Sequence, residues 1–170
     1  RSGPLSERVF VTGVLGCLGA WAVRAVLDDG DVPVGFDPGT NRGRLELVLG
    51  AEAAAVEVVA GDVTDLAQVE RALDEHEVTR VVHLAGLQVP FCRESPSLGA
   101  AVNVVGTVNV LEAAKRRRDR IPGVAYASSA AVYGPHDPSP APEAGGHEPL
   151  THYGVYKLAN EGSARIFWRD

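Results

Sequence analysis

Short β-branched runs alternate along this chain with longer stretches whose apolar residues recur every three or four positions. Residues 8–12 (RVFVT) read as a buried strand; glycines follow, and then a pattern that predicts a helix over 17–28. Residues 32–36 predict a second strand, 45–49 a short helix or loop, and 56–60 a third strand. Over 65–76, Leu66, Val69, Ala72 and Leu73 fall on one helical face, and 80–85 predict a fourth strand. Ser95 before Pro96 is a helix start, with Ser as cap and Pro at the first position. That helix is expected to run to about residue 118 on a stripe of Ala101, Val105, Val108 and Leu111. Residues 123–128 predict a fifth strand, the Pro- and Gly-rich 134–149 a loop, and 152–169 a last helix.

Strands alternating with helices mean βαβ units and a parallel sheet. The expected fold class is therefore α/β, a doubly wound parallel sheet of about five strands with helices on both faces, spanning 7–170.

Composition narrows the function. A chain of 170 residues, 45% hydrophobic and 22% charged, suffices for one domain with a core. A net charge of −6 argues against nucleic acid as partner. The basic run Lys115–Arg118 reads as the solvated end of a helix. Cys17 and Cys92 have no metal or disulfide spacing, and the five histidines form no metal-like cluster. No metal is expected, and a reducing, cytoplasmic setting is. No apolar run is expected to be long enough for a membrane span, and no signal peptide is visible. The chain opens on Arg1 and contains no Met, so residues 1–6 are not read as a native start.

The chemistry begins at VTGVLGCLG, residues 11–19. A strand that runs into glycines and then a helix makes an anion site from free N–H groups and the helix dipole. Gly13 permits the turn, Gly16 lets backbone approach a diphosphate, and Gly19 lets the helix pack on the strand. Asp37, 24 residues beyond Gly13, can accept bonds from both adenosine ribose hydroxyls and would repel a 2′-phosphate. NAD is thus favoured, while Arg42 and Arg44 keep NADP open as the lesser reading. Tyr153 and Lys157, four apart on the last helix, share a face. A phenol is a poor base near its ordinary pKa of about 10, and a neighbouring ammonium favours the phenolate. Such a pair beside NAD suits general acid/base work.

In these motifs the chain resembles the extended short-chain dehydrogenase/reductase family, the NAD-dependent epimerase/dehydratases. TGVLGCLG is similar to that family's TGxxGxxG; GDVTD, HLAG, NVVGTVNVLEAA and SSAAVYG follow in family order before Tyr153 and Lys157. The resemblance implies a Rossmann fold whose cofactor contacts are Gly13, Leu15, Gly16, Cys17, Leu18, Gly19, Asp37, Asp62, Val63, Leu84, Ala85, Gly86 and Lys157. It places His83 beside the cofactor. It implies that Tyr153 moves a proton on a substrate hydroxyl while Lys157 holds the nicotinamide ribose. Ser129 would bond the reacting oxygen, with Ser128 as the adjacent alternative. Asn103 would serve structure and proton relay, or be a helix polar residue satisfied by backbone.

Two departures refine this. Ala130 and Ala131 stand where the family's dehydratases carry an Asp–Glu pair, which favours epimerase or dehydrogenase chemistry on a nucleotide sugar or related polyol. Gln88 stands where galactose epimerases often carry Lys, and Cys17 where an aromatic is common; Cys17 is expected as a small buried residue. The resemblance further implies a sixth strand and a substrate domain beyond residue 170, an open edge at the fifth strand, and a homodimer through helices 96–118 and 152–169. A non-catalytic NAD-sensing module is the alternative reading.

Overall fold

The computed structural model describes residues 6–135, 138–143 and 147–169. Strand β1 (Arg8–Thr12) buries both faces: Phe10 enters one core while Val9 and Val11 enter the other. That two-sided burial is what a central parallel strand requires. Helix α1 (Cys17–Asp28) inserts Ala20, Val23 and Val26 on the second face and stops at Gly30, φ +81°. Strand β2 is Val32–Asp37, and its Phe36 ring lies 5.2 Å from that of Phe10. Helix α2 (Gly43–Leu49) buries Leu45 and Leu49 and runs into a 3₁₀ segment at Gly50–Ala55, which resolves the helix-or-loop alternative at 45–49 as helix.

Strand β3 is Glu57–Ala60. Helix α3 (Leu66–Glu75) is capped by Asp65, whose carboxylate accepts the Gln68 N–H at 3.2 Å. Strand β4 is Arg80–His83. Helices α4 (Val89–Glu94) and α5 (Pro96–Ala100) follow, then a π-turn (Ala101–Val105), α6 (Gly106–Lys115), β5 (Val124–Tyr126) and α7 (His152–Arg169).

All five strands are parallel in the order β3-β2-β1-β4-β5. Helices α1 and α2 pack together on one face, and α3, α6 and α7 on the other. This is the doubly wound arrangement expected. Chain order reverses between β1 and β4, so the switch-point crevice opens beyond Thr12 and His83. β5 is an edge, as expected, and so is β3.

Several expectations need correction. Helix α4 went unforeseen, because Pro90 and the Ser95–Pro96 start mask one turn of helix. Ser95 occupies the cap position, but its side chain makes no cap bond. The long helix ends at Lys115 and not near 118, and it widens into the π-turn midway. The basic run after it is not merely solvated. Arg116 and Arg117 pair with Glu70, Arg117 and Arg120 with Asp74, and these contacts pull the chain out of helix onto α3. Cys17 is exposed at the start of α1 rather than buried; Cys92 is the buried thiol. By length and composition Pro96–Lys115 is apolar enough to cross a membrane; half of it is buried here, as in a core helix. A count of uninterrupted apolar residues misses this because Asn103, Thr107 and Asn109 break the run.

Candidate functional site

Thr12 ends β1, and Gly13 turns the chain at φ +70° while its N–H donates to the Phe36 carbonyl at 2.9 Å. A Cβ on Gly13 would lie 2.7 Å from the Ala85 nitrogen, and one on Gly19 2.7 Å from Val14 Cα. No real side chain survives such approaches, so Gly13 clears the β4 crossing and Gly19 lets α1 pack on the loop. The Gly16 N–H closes the turn on the Gly13 carbonyl at 3.0 Å. No side chain caps α1. Its first-turn N–H groups are therefore open to an anion.

Asp37 stands across from this turn. Its Oδ2 accepts the Leu15 N–H at 3.2 Å and its Oδ1 the Gly39 N–H at 2.9 Å. The carboxylate thus holds the glycine loop as well as facing the cleft. Arg42 is committed to the Ala53 and Val56 carbonyls at 2.6 and 2.8 Å. Arg44 is exposed and lines the cleft with Asp37.

That cleft has a volume of about 360 Å³ and lies at the switch point. Of the residues expected to touch a cofactor, it brings together Gly13, Leu15, Gly16, Asp37, Asp62, Val63, Leu84, Ala85 and Gly86. Cys17 and Leu18 are exposed outside its lining, and Gly19 is buried in the helix contact. A larger depression of about 720 Å³, lined by Glu7, Asp31, Thr79 and Pro122 among others, lies at the opposite strand ends. Open α/β sheets take ligands at the carboxyl ends, so the smaller cleft is the candidate site.

Lys157 is 7% exposed, donates to the Ala127 carbonyl at 2.8 Å and lies 5.7 Å from the Tyr153 ring centroid. Burial lowers its pKa from the ordinary lysine value, and the neighbouring Cys92 partly opposes that. A Cβ on Gly86 would sit 3.9 Å from Lys157 Nζ and 3.2 Å from Asn103 Oδ1, so the ammonium ends at the cleft wall. Gly154 seats the start of α7 on the Ala131 backbone, where a Cβ would meet the Ala131 carbonyl carbon at 3.0 Å. Ser129 Oγ accepts the Ala131 N–H at 3.1 Å and caps the short 3₁₀ turn Ala130–Val132. Ser128 donates to Glu161 at 2.5 Å and is engaged away from that turn.

Asn103 is satisfied by backbone. Its side chain accepts the Leu87 N–H at 2.7 Å and donates to the Leu87 carbonyl at 2.9 Å. Its own carbonyl takes the Thr107 hydroxyl at 2.7 Å and the Asn160 amide at 2.9 Å. His83 bonds Thr12 Oγ1 at 2.6 Å and Thr107 Oγ1 at 3.0 Å. Burial pushes its pKa down to about 3, and Lys157 adds to the effect. Sequence reasoning missed Thr107, Asn160 and Gly154. Asn160 had a signal, since it follows Lys157 by three residues on the same helical face. Among the described residues no group of His, Cys, Asp and Glu could hold a metal.

The sequence profile described as GDP-mannose 4,6 dehydratase matches residues 10–170. The chain belongs to that family. UDP-glucuronate 4-epimerase 6 of Arabidopsis thaliana is 32% identical over 173 residues, covering 96% of this chain and 37% of that protein. UDP-glucose 4-epimerase of Azospirillum brasilense is 33% identical over 161 residues, covering 94% and 44%. The Bordetella bronchiseptica enzyme WbmG, solved with NAD and UDP, superposes with a TM-score of 0.81 at 30% identity, over 95% of this chain and 50% of that one. The chain thus spans half or less of the length of these relatives. Its Rossmann sheet is that of the extended, epimerase-type members of the GDP-mannose 4,6 dehydratase family.

Proposed function

We propose that this chain binds NAD and carries the acid/base pair of an oxidoreductase that acts on a secondary alcohol of a nucleotide sugar, with epimerisation as the favoured outcome. The observation that carries this is one cleft lined by the glycine turn, the Asp37 carboxylate and Gly86; Lys157 is not in its lining but lies behind Gly86, where an added Cβ would come within 3.9 Å of its ammonium.

The cleft fits the dinucleotide. The uncapped start of α1 and the Gly13–Gly16 turn suit a diphosphate, and Asp37 suits an adenosine ribose diol. Asp62, Val63 and Leu84 to Gly86 line the same cleft, where Asp62 and Val63 would flank the adenine end. When bound, the nicotinamide would accept the substrate hydride and return it. Tyr153 takes the hydroxyl proton as the carbonyl forms and gives it back on reduction. Lys157 holds the ribose and, as a cation, steadies charge on the phenol oxygen. Ser129 orients the reacting oxygen from the end of β5. Ala130 and Ala131 offer no carboxyl to remove water, which supports epimerase over dehydratase chemistry. Relatives named as UDP-sugar 4-epimerases support the same substrate class.

The exposed Leu98, Val105 and Val155 on α5, the π-turn and α7 support a homodimer through these helices, and sedimentation at several concentrations tests it. Titration with NADH and NADPH tests the cofactor site. Saturable NADH binding that is weaker for NADPH is expected; a folded chain that binds neither overturns the proposal. Incubation with NAD and UDP-glucose or UDP-glucuronate, followed by NMR, tests for the 4-epimer.

A further inference from the structure

Three residues of α7 lie on one stripe: Tyr153, Lys157 and, one turn on, Asn160. Asn160 is 1% exposed, among the most buried polar side chains described. Its Nδ2 donates to the Asn103 carbonyl at 2.9 Å and to Thr107 Oγ1 at 3.1 Å. A carbonyl only accepts, so the amide cannot be turned over. Its Oδ1 consequently has no partner among the described residues. An unsatisfied buried acceptor is costly, and an apolar residue would avoid it. The cost stands beside a specific gain. The π-turn widens the backbone at Asn103, and its carbonyl receives two side-chain donors.

From Asn160 two hydrogen-bonded arms reach the cleft wall. One passes through Asn103 to both backbone groups of Leu87. The other passes through Thr107 and His83 to Thr12, whose hydroxyl accepts the Leu84 and Ala85 N–H groups, each at 3.2 Å. Every link is within hydrogen-bond distance. α7 is thereby pinned, three residues past Lys157, to the wall against which the Lys157 ammonium ends.

We propose that Asn160 is a positioning residue that sets the Tyr153–Lys157 pair against the cofactor cleft through its bonds to Asn103 and Thr107. This rests on the dinucleotide reading above, and the test separates the two. On that reading NADH would meet both the glycine loop and Lys157, whereas ADP would meet only the glycine loop and Asp37. Both are titrated against the wild-type chain, N160A and D37A. D37A weakens both ligands and serves as the reference for parallel loss. N160A is expected to weaken NADH about tenfold, the scale of one lost hydrogen bond, while ADP stays within about twofold. Unchanged NADH affinity in N160A overturns the proposal, and so does parallel loss of both ligands, which a merely structural role would give. Where N160A does not fold, N160S, which keeps a shorter donor, is read by the same split. A folded wild type that binds neither ligand sinks the dinucleotide reading and this inference with it.

Discussion

Thr12 Oγ1 and His83 Nδ1 lie 2.6 Å apart across the paired ends of β1 and β4. The same oxygen accepts the Leu84 and Ala85 N–H groups, so its own hydrogen points to Nδ1. His83 therefore keeps its proton on Nε2 and donates it to Thr107. The imidazole is a neutral spacer that fixes two strands and the cleft floor, and not an acid or base.

His83 makes stability depend on pH. Its folded pKa of about 3 lies below the ordinary 6.5. The unfolded chain binds the extra proton first, so the stabilising effect is intact above about 6.5 and is lost as pH falls toward 3. Between pH 7 and 5 this one group costs about 2 kcal/mol. Urea unfolding at both values should show that drop, and H83Q should lose most of it. An identical pH slope in H83Q would remove the assignment.

Asp37 does two jobs, and its replacement should show both. D37A is expected to weaken NADH about tenfold or more and to narrow the gap to NADPH, because the carboxylate that repels a 2′-phosphate is gone while Arg44 remains on the same cleft. Binding titrations with both cofactors measure this. A preference for NADH as wide as in the wild type would count against Asp37 as the discriminator.

Gly19 is a packing glycine, so G19A should act on stability as well as on binding. The added methyl would meet Val14 Cα at 2.7 Å. Overpacking of this kind costs about 1–3 kcal/mol. Denaturant midpoints should fall accordingly; a midpoint within experimental error of the wild type would show that α1 can shift freely.

Arg117 ties the end of α6 to α3 through Asp74 and Glu70, and its side chain is 15% exposed. R117A should destabilise by about 1–2 kcal/mol, part of it lost packing of the stem. Asp74 has its pKa held down to about 2, chiefly by the Arg117 bond. Its share is present above about pH 4 and fades as pH falls toward 2. With its side chain 56% exposed, that share stays under about 1 kcal/mol. Thermal melts at low and high salt separate the ionic part from the packing part.

Tyr153 tests the chemistry directly. Y153F removes the hydroxyl proposed to carry the proton but keeps the ring beside Lys157. NADH affinity should stay within about twofold while epimer formation falls at least a hundredfold. Full turnover by Y153F would assign the proton to another group.

Much of the fold was legible because it rests on local signals. The bounds of β1, α1 and α7 follow from periodicity and glycines, and each packs where its apolar stripe faces. That the glycine turn and Asp37 share one cleft was legible for a similar reason: each is a residue type whose chemistry survives without knowing its neighbours. The π-turn was not, because widening one turn of helix depends on Asn103 finding Leu87 and Asn160, partners 16 and 57 residues away. The end of the long helix at Lys115 was hidden likewise, since Glu70 and Asp74 capture the arginines from another helix.

The sequence by itself determined the order of the five strands and of the main helices apart from α4, and it placed the glycine turn at the end of β1. Only the tertiary structure decided which polar residues are buried together. Hydrophobic periodicity reports which face of an element is inward, a property of the element alone. A buried hydrogen bond needs a donor and an acceptor brought together from distant parts of the chain. Thr12, His83, Thr107, Asn103 and Asn160 come from β1, β4, α6, the π-turn and α7, and apart from Asn103 and Thr107, four residues apart, nothing in their spacing along the chain shows that they meet.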